Sequence, residues 1–495
     1  MNIKAVGFFL GRVLFLESLC MVPAAMICFV RGDLNDGLAF LEVIGVLAVA
    51  GLALSLFKKT ADGGMRSKEI FLSVVLGWVF LSLGGSLPFI LSGAIPRLSD
   101  AFFETASGFT TTGSSILVEV EALSYGMLYW RSFTAWIGGM GAFVFMLAII
   151  PMTKKTGGGL YMMCAESPGP ASKPALNMRS AARILYLIYT ALTVILIIML
   201  SAGGMPLFDS ITHAFSTAGT GGFSIKNSSI GYYDSFTHGY YLQRVISVFM
   251  VLFGVNFSVI YLVLIRDIKS VFKSEELRLY LLIIAASTGV IAINVLDFFS
   301  NNFRDALHHS FFTVSSIIST TGFSTVDFDM WPELSKTIIL FLMSAGACAG
   351  SAGGGMKMSR VLILWKSLKH EAQKIIRPHS KRVIKLDDKV LDNSVISAVN
   401  GYFALYAIFF IISLLVISAD SPGLMTSVSA VTACLNNVGP GFDMVGPAKS
   451  FAEFSDFSKF ILTVDMLLGR LELYPILVIF SPAIWSKNKG CQLSK

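Results

Sequence analysis

The feature that most limits what this chain can become is a recurrence of apolar stretches long enough to cross a bilayer. Ten are legible, near residues 6–30, 38–57, 70–93, 127–150, 183–202, 242–265, 279–299, 336–360, 396–418 and 457–484. About 20 apolar residues in a helix span the hydrocarbon layer, and lipid tolerates only helices or closed barrels as crossing structures. Stretches of this length read as helices, so the expected fold class is all-α integral membrane. Composition agrees: 14% of the 495 residues are charged, against roughly 25% in soluble domains. Soluble enzymes start far behind, and no HExxH, GxSxG or Walker pattern appears to favour an intramembrane one. The expectation is therefore not an enzyme.

Basic residues give the orientation. Lys58, Lys59, Arg66 and Lys68 follow the second stretch, and Lys154, Lys155, Lys173 and Arg179 follow the fourth. Arg266, Lys269, Lys273 and Arg278 follow the sixth; the loop from Lys357 to Lys389 is the most basic, with Lys374, Arg377, Lys381, Arg382 and Lys385. All fall on every second connection, which the positive-inside rule assigns to the cytoplasm, with both termini and the Lys487, Lys489 and Lys495 tail. The formal charge of +7 is then a matter of topology. Basic runs without interleaved aromatics give no support for nucleic acid as a partner. The same basic face has a second reading, as a dock for an acidic cytosolic partner or for membrane lipid. Six cysteines with no CxxC argue against disulfides or a zinc site. The first stretch, interrupted by Arg12 and Glu17, reads as an anchor helix rather than a signal peptide.

A fourfold internal repeat lies in the short outer connections rather than in the spans. Each holds an apolar segment too short to cross, ending in a polar, glycine-bearing turn: Thr111-Thr112-Gly113, Thr220-Gly221-Gly222, Thr320-Thr321-Gly322 and Asn437-Val438-Gly439. The aligned glycines are 109, 100 and 117 residues apart, and six residues before them stand Ser107, Ser216, Ser316 and Ala433. The unit is helix, pore half-helix, filter loop, helix. Four such pseudo-repeats would surround one pore: repeat 1 over 70–180, repeat 2 over 181–275, repeat 3 with a gating loop over 276–390, and repeat 4 over 391–495. Residues 1–69 supply two extra N-terminal helices. Irregular backbone at membrane depth is tolerated only where it lines water or protein. A ring of four turns meets that condition by pointing carbonyls at a dehydrated cation, with potassium as the bound ion at those twelve residues. Glycine supplies backbone torsions that side chains resist, Thr and Ser hydroxyls add oxygens, and half-helices aim negative dipole ends at the ion. Any one turn alone would read as an ordinary turn, and the minus-six serines as helix packing.

Two further features lie below the turns. The stretch Ser344–Lys357 holds Gly346, Gly350, Gly353, Gly354 and Gly355 inside a predicted span. Each interior glycine costs about 1 kcal/mol against alanine, so the stretch reads either as tight helix packing or as a flexible loop able to block the pore. Arg470, in Gly469-Arg470-Leu471-Glu472-Leu473-Tyr474-Pro475, is a charge within a span and so a functional candidate. It reads either as a snorkelling or Glu472-paired structural arginine, or as a pore-facing barrier bonded to the 344–356 loop. Asp465 is another candidate partner.

These motifs resemble the Trk/Ktr/HKT superfamily of potassium transporters, and the two extra N-terminal spans resemble its bacterial TrkH-type branch rather than the shorter KtrB branch. The likeness covers essentially the whole chain. It implies potassium uptake across the bacterial cytoplasmic membrane by a homodimer, each subunit with its own pore. It also implies a cytosolic TrkA-type regulatory ring that binds NAD(H), ATP or ADP, no nucleotide being bound directly by this chain. The glycine-rich loop would be the gate and Arg470 its barrier. Filter 4 departs from the Thr-rich form, so the ring would be only pseudo-fourfold and sodium leakage is expected. Gly113, where sodium-transporting plant relatives carry serine, places the chain with the potassium-permeable members. The alternative is a potassium/proton or potassium/sodium symporter, for which Glu104, Asp209 and Asp465 are the nearest carboxylates. The pair His308-His309 has no metal-ligand companion at helical spacing and reads as a helix-start or interface feature.

Overall fold

The computed structural model describes residues 2–56, 67–141, 178–377, 383–420 and 423–471. Its described part is a bundle of helices and one short hairpin. An antiparallel pair, α1 (Ile3–Arg31) and α2 (Leu34–Ser55), precedes the repeats. Repeat 1 follows as α3 (Ser67–Leu91), α4 (Leu98–Phe109) and α5 (Tyr125–Gly139). Repeat 2 is α6 (Met178–Ala202), α7 (Leu207–Gly219), α8 (Gly239–Phe253) and α9 (Phe257–Leu264). A short α10 (Ile268–Lys273) leads to repeat 3: α11 (Glu275–Asn294), α12 (Phe303–Ile318), α13 (Glu333–Ala345) and α14 (Met358–Ile376). Strands β1 (Lys385–Leu386) and β2 (Lys389–Val390) pair antiparallel before repeat 4, which is α15 (Asn393–Asp420), α16 (Leu424–Leu435) and α17 (Asp456–Leu471).

Six of these helices are long and apolar enough to cross a membrane unbroken: α1, α2, α11 and most of α3, α6 and α15. Helices α4, α7, α12 and α16 have 12, 13, 16 and 12 residues. At 1.5 Å per residue they reach only about half-way through the layer. These are the expected half-helices. Three begin with an aspartate in the first turn, Asp100, Asp209 and Asp305, opposite the positive end of the helix dipole. Asn302 also caps α12 by accepting the Arg304 N–H.

The second span of repeat 2 differs from its sequence reading. The stretch 242–265 is not one helix. It breaks after Phe253 and turns by 101° into α9. The break lies at Gly254-Val255-Asn256, where Asn256 caps the new helix through the Ser258 N–H. The stretch 336–360 is helical only to Ala345; Gly346 at φ 73° ends it, and the chain stays irregular until α14. The basic 357–389 connection, read as a loop, contains α14 and the hairpin. The stretch 127–150 is helical from Tyr125 to Gly139, and its remainder from 142 lies outside the described residues. So do the end of 457–484 with Glu472, Tyr474 and Pro475, and Lys58, Lys59, Arg66, Lys154, Lys155, Lys173, Lys381, Arg382, Lys487, Lys489, Lys495, Cys164 and Cys491.

The apolar core is divided by repeat. One cluster joins the N-terminal pair to repeats 1 and 4 around Phe40, Trp78, Phe109 and Trp130. A second centres on Tyr189 and Phe253 in repeat 2, and a third on Tyr280 and Trp331 in repeat 3. Each half-helix packs against its own spans and against the second span of the preceding repeat, which leaves its C-terminal turn as the group free to face the centre.

Candidate functional site

The four half-helices end identically at the backbone. Thr112, Gly221, Thr321 and Val438 N–H groups donate to the carbonyls of Ser107, Ser216, Ser316 and Ala433 at 2.8, 2.9, 2.8 and 2.8 Å. Thr111, Thr220, Thr320 and Asn437 donate to the carbonyls three residues earlier. This is a Schellman cap, in which one residue must adopt left-handed torsions. Glycine usually takes that position. Here Thr111, Thr220, Thr320 and Asn437 do, at φ 58°, 55°, 59° and 54°. Such torsions are costly for a β-branched residue, about 1–2 kcal/mol each, and persist only where the surroundings fix them. The minus-six residue therefore works through its carbonyl. Its hydroxyl varies in role: Ser316 donates to the Phe323 carbonyl, and no such bond is made by Ser107 or Ser216.

Two residues on, the chain turns left-handed again at Gly113, Gly222, Gly322 and Gly439, with φ 83°, 61°, 85° and 103°. Each glycine lies against the carbonyl of the neighbouring repeat. A Cβ on Gly113 would strike the Gly221 oxygen, one on Gly222 the Thr321 oxygen, and one on Gly322 the Val438 oxygen. One on Gly439 would lie 2.8 Å from the Thr112 oxygen. The contacts close a ring in the order 1, 2, 3, 4 and back to 1. All twelve residues singled out from sequence are brought together in it.

Side chains brace the ring unequally. Between repeats 4 and 1, Ser114 Oγ donates to the Gly439 carbonyl at 2.9 Å and Asn437 Nδ2 to Thr112 Oγ1 at 2.8 Å. Between 1 and 2, Arg131 donates to the Ser224 carbonyl at 2.7 Å and lies over the Phe223 ring. Thr111 Oγ1 and Asn437 Oδ1 are buried oxygens that no donor among the described residues satisfies. Buried acceptors left in this state carry a desolvation penalty of about 1–3 kcal/mol. Outside the ring a cavity of about 160 Å³ touches all four glycines.

Glu104 and Arg131 form a buried ion pair at 2.6 Å beside this cavity. Glu104 also accepts from Ser115 Oγ and the Ile116 N–H. The carboxylate is fully engaged in tying α4 to α5. Asp209 accepts from Tyr233 Oη at 2.7 Å. His308 and His309 meet Gln243 Oε1 at 2.6 Å and Thr325 Oγ1 at 2.9 Å. Sequence reasoning missed Arg131, although a charge in the predicted span 127–150 was as strong a signal as Arg470.

Beneath the ring lies the 346–357 loop. The Gly354 N–H donates to Thr320 Oγ1 at 2.6 Å, so the loop hangs directly from the turn of repeat 3. A Cβ on Gly353 would lie 2.7 Å from the Ser319 carbonyl, and one on Gly354 2.5 Å from that of Asn436. Gly346 and Gly355 pack backbone on backbone. On the far side the loop fits the break in repeat 2: Cys348 N–H donates to the Gly254 carbonyl at 3.0 Å, and Phe257 N–H to that of Gly350 at 3.0 Å. Of the two sequence readings, the irregular loop is the one observed.

Arg470 of α17 reaches across this level. It donates to the Ala352 carbonyl at 3.0 Å, the Gly139 carbonyl at 2.9 Å and the Gly138 carbonyl. One guanidinium thus joins the end of α5 in repeat 1 and the loop of repeat 3 to repeat 4. Asp465, the other candidate partner, accepts from Ser413 Oγ at 2.7 Å.

Comparison with known proteins agrees with this geometry. The family of TrkH cation transport proteins matches residues 39–487. The chain is 36% identical to the Trk system potassium uptake protein TrkH of Salmonella typhimurium, over 98% of this chain and 100% of that protein. It is 32% identical to TrkG of Escherichia coli K12, over 98% of this chain and 99% of the relative. The crystal structure of the potassium transporter TrkH from Vibrio parahaemolyticus superposes with a TM-score of 0.85 at 31% identity, covering 98% of this chain and 100% of that one. The chain is a multi-pass membrane transport protein rather than an enzyme, and it belongs to the TrkH family of cation transport proteins.

Proposed function

We propose that this chain takes up potassium through a channel-like pore whose selectivity filter is the ring of Thr111–Gly113, Thr220–Gly222, Thr320–Gly322 and Asn437–Gly439. The observation that carries this reading is the closed circuit of glycine-to-carbonyl contacts among four repeats. Carbonyl dipoles in a closed ring are a substitute for the hydration shell of a small monovalent cation. The half-helix C-termini converge on the same ring and add their negative ends.

The gate is the 346–357 loop, with Gly346, Gly350, Gly353, Gly354 and Gly355 giving it its shape and Arg470 clamping it. A guanidinium one level below the filter opposes cation passage, and its bonds to three carbonyls hold the blocking conformation. The protein works as a homodimer in the bacterial cytoplasmic membrane, with both termini and the basic α14–hairpin segment on the cytoplasmic face. A cytosolic regulatory subunit of the TrkA type carries the nucleotide site and docks on that face.

The test is the reversal potential of the purified chain in liposomes under opposed potassium and sodium gradients. A value near the potassium equilibrium potential supports the filter. A value near zero with large current removes strong selectivity. A chain silent alone, and still silent with regulator and nucleotide, would overturn the conductive reading.

A further inference from the structure

The loop under the filter has a second anchor besides Arg470. It is built largely of glycine and alanine, so it has few side chains with which to hold itself, and ordering it is entropically expensive. Glu276, the second residue of α11, is buried. Its Oε1 accepts the Ala349 N–H at 2.7 Å and the Ser359 N–H at 3.0 Å. Ala349 lies inside the loop and Ser359 in the first turn of α14 just beyond it. A carboxylate at Ser359 alone would be an ordinary helix cap. The bond to Ala349 is different, because it exists only while the loop is folded back beneath the ring. Lys357 closes the same segment internally: at φ 70°, its ammonium group bonds the Gly353 carbonyl.

The preceding residue faces the cytoplasmic elements. The Glu275 carboxylate pairs with Lys366 of α14, and its N–H donates to Asp387 Oδ1 at 2.8 Å in the β1–β2 turn. Lys366 also donates to the Lys385 carbonyl at 2.7 Å. Adjacent residues at one helix end are therefore bonded to the exposed hairpin and to the loop.

We propose that Glu276 is the positioning residue of the gate, a carboxylate clip that holds the loop in its blocking shape and connects it through the Glu275–Glu276 end of α11 to the 385–390 hairpin. This rests on the gate reading above. Charge-assisted bonds are roughly twice as strong as neutral ones. A loop that swings away leaves the buried carboxylate short of a donor, so the clip biases the equilibrium towards closure. A partner that shifts the hairpin moves the end of α11 and loosens both bonds together.

The experiment uses the full chain in liposomes, without partner, in a background where Cys348 is the only cysteine. The Cys348 thiol sits buried in the loop, so its rate of maleimide labelling reports loop opening independently of conduction. Glu276→Gln keeps the shape and an acceptor oxygen and is expected to raise both labelling and basal potassium flux severalfold. Glu276→Ala is expected to raise them roughly tenfold, equivalent to about 1.4 kcal/mol off closure, with the potassium-to-sodium ratio unchanged. A fall in that ratio would place the effect in the filter and overturn the proposal. A chain lacking residues 349–353 separates the two readings. If it conducts freely while both Glu276 variants label and conduct as wild type, the gate stands and the clip falls. If it too conducts as wild type, the gate reading itself fails. Should Glu276→Ala fail to reach the membrane, Glu276→Gln decides by the same readouts.

Discussion

Replacing the ring glycines one at a time by alanine tests the filter quantitatively. Two effects add at each position. Left-handed torsion costs a residue with a Cβ about 1–2 kcal/mol relative to glycine. Inserting a methyl into a packed site costs typically 1–3 kcal/mol more. The second effect differs among the four. Clearance to the neighbouring carbonyl is tightest at Gly222 and increases through Gly322 and Gly113 to Gly439, where the Thr112 oxygen would be 2.8 Å away. Gly322 also has Pro440 Cδ at 2.8 Å, which blocks retreat. The displaced atoms are the carbonyl oxygens proposed to hold the ion. If about 1.4 kcal/mol of the strain appears as a differential penalty on potassium over sodium, the permeability ratio falls tenfold. Reversal potentials in liposomes, at matched protein content, should show the largest loss for Gly222→Ala and Gly322→Ala and the smallest for Gly439→Ala. Gly93→Ala is a control for torsional strain alone, with φ 79° and no atom within 4 Å of the added methyl. Gly289→Ala is a control for the methyl alone. Wild-type selectivity in all four ring variants, or a loss confined to Gly439→Ala, would refute the reasoning.

Arg470→Ala removes bonds to three carbonyls and the cationic barrier, so potassium flux measured without a regulator should rise; unchanged flux would make Arg470 structural only. Arg131→Gln strands the buried Glu104 carboxylate and should lower stability by about 3–5 kcal/mol, read as the thermal midpoint in detergent, whereas Arg131→Gln with Glu104→Gln should recover most of that loss. Glu104 is held by Arg131, and Asp209 and Asp465 each accept one hydroxyl, from Tyr233 and Ser413; Asp465 Oδ2 is buried with no partner among the described residues, which makes Asp465 the carboxyl a symport mechanism would use. Potassium flux through Asp465→Asn should therefore keep its dependence on voltage and lose no proton coupling; disappearance of a proton current accompanying potassium would favour the symporter instead.

What could be read from the chain was what is encoded locally. Segment length and apolarity fix a membrane span, and a half-length segment ending in Thr-Thr-Gly or Asn-Val-Gly fixes a re-entrant turn, because the cap needs its left-handed residues within six positions of the helix end. The glycine loop and Arg470 were visible as local violations, poor helix formers and a charge inside spans. The break at Gly254–Asn256 was not, since one glycine in an apolar run carries too weak a signal and the break is stabilised by the distant loop that fits into it. The Glu104–Arg131 pair, the cyclic order of the ring and the Glu276 clip depend on residues 27, 99 to 327, and 73 to 83 positions apart. No propensity or periodicity encodes such pairings. They arise when the repeats pack and buried charges and carbonyls must find whatever partner the neighbouring repeat presents. The four turns were thus determined by sequence, and their closure into one ring with a latched loop beneath it by tertiary structure alone.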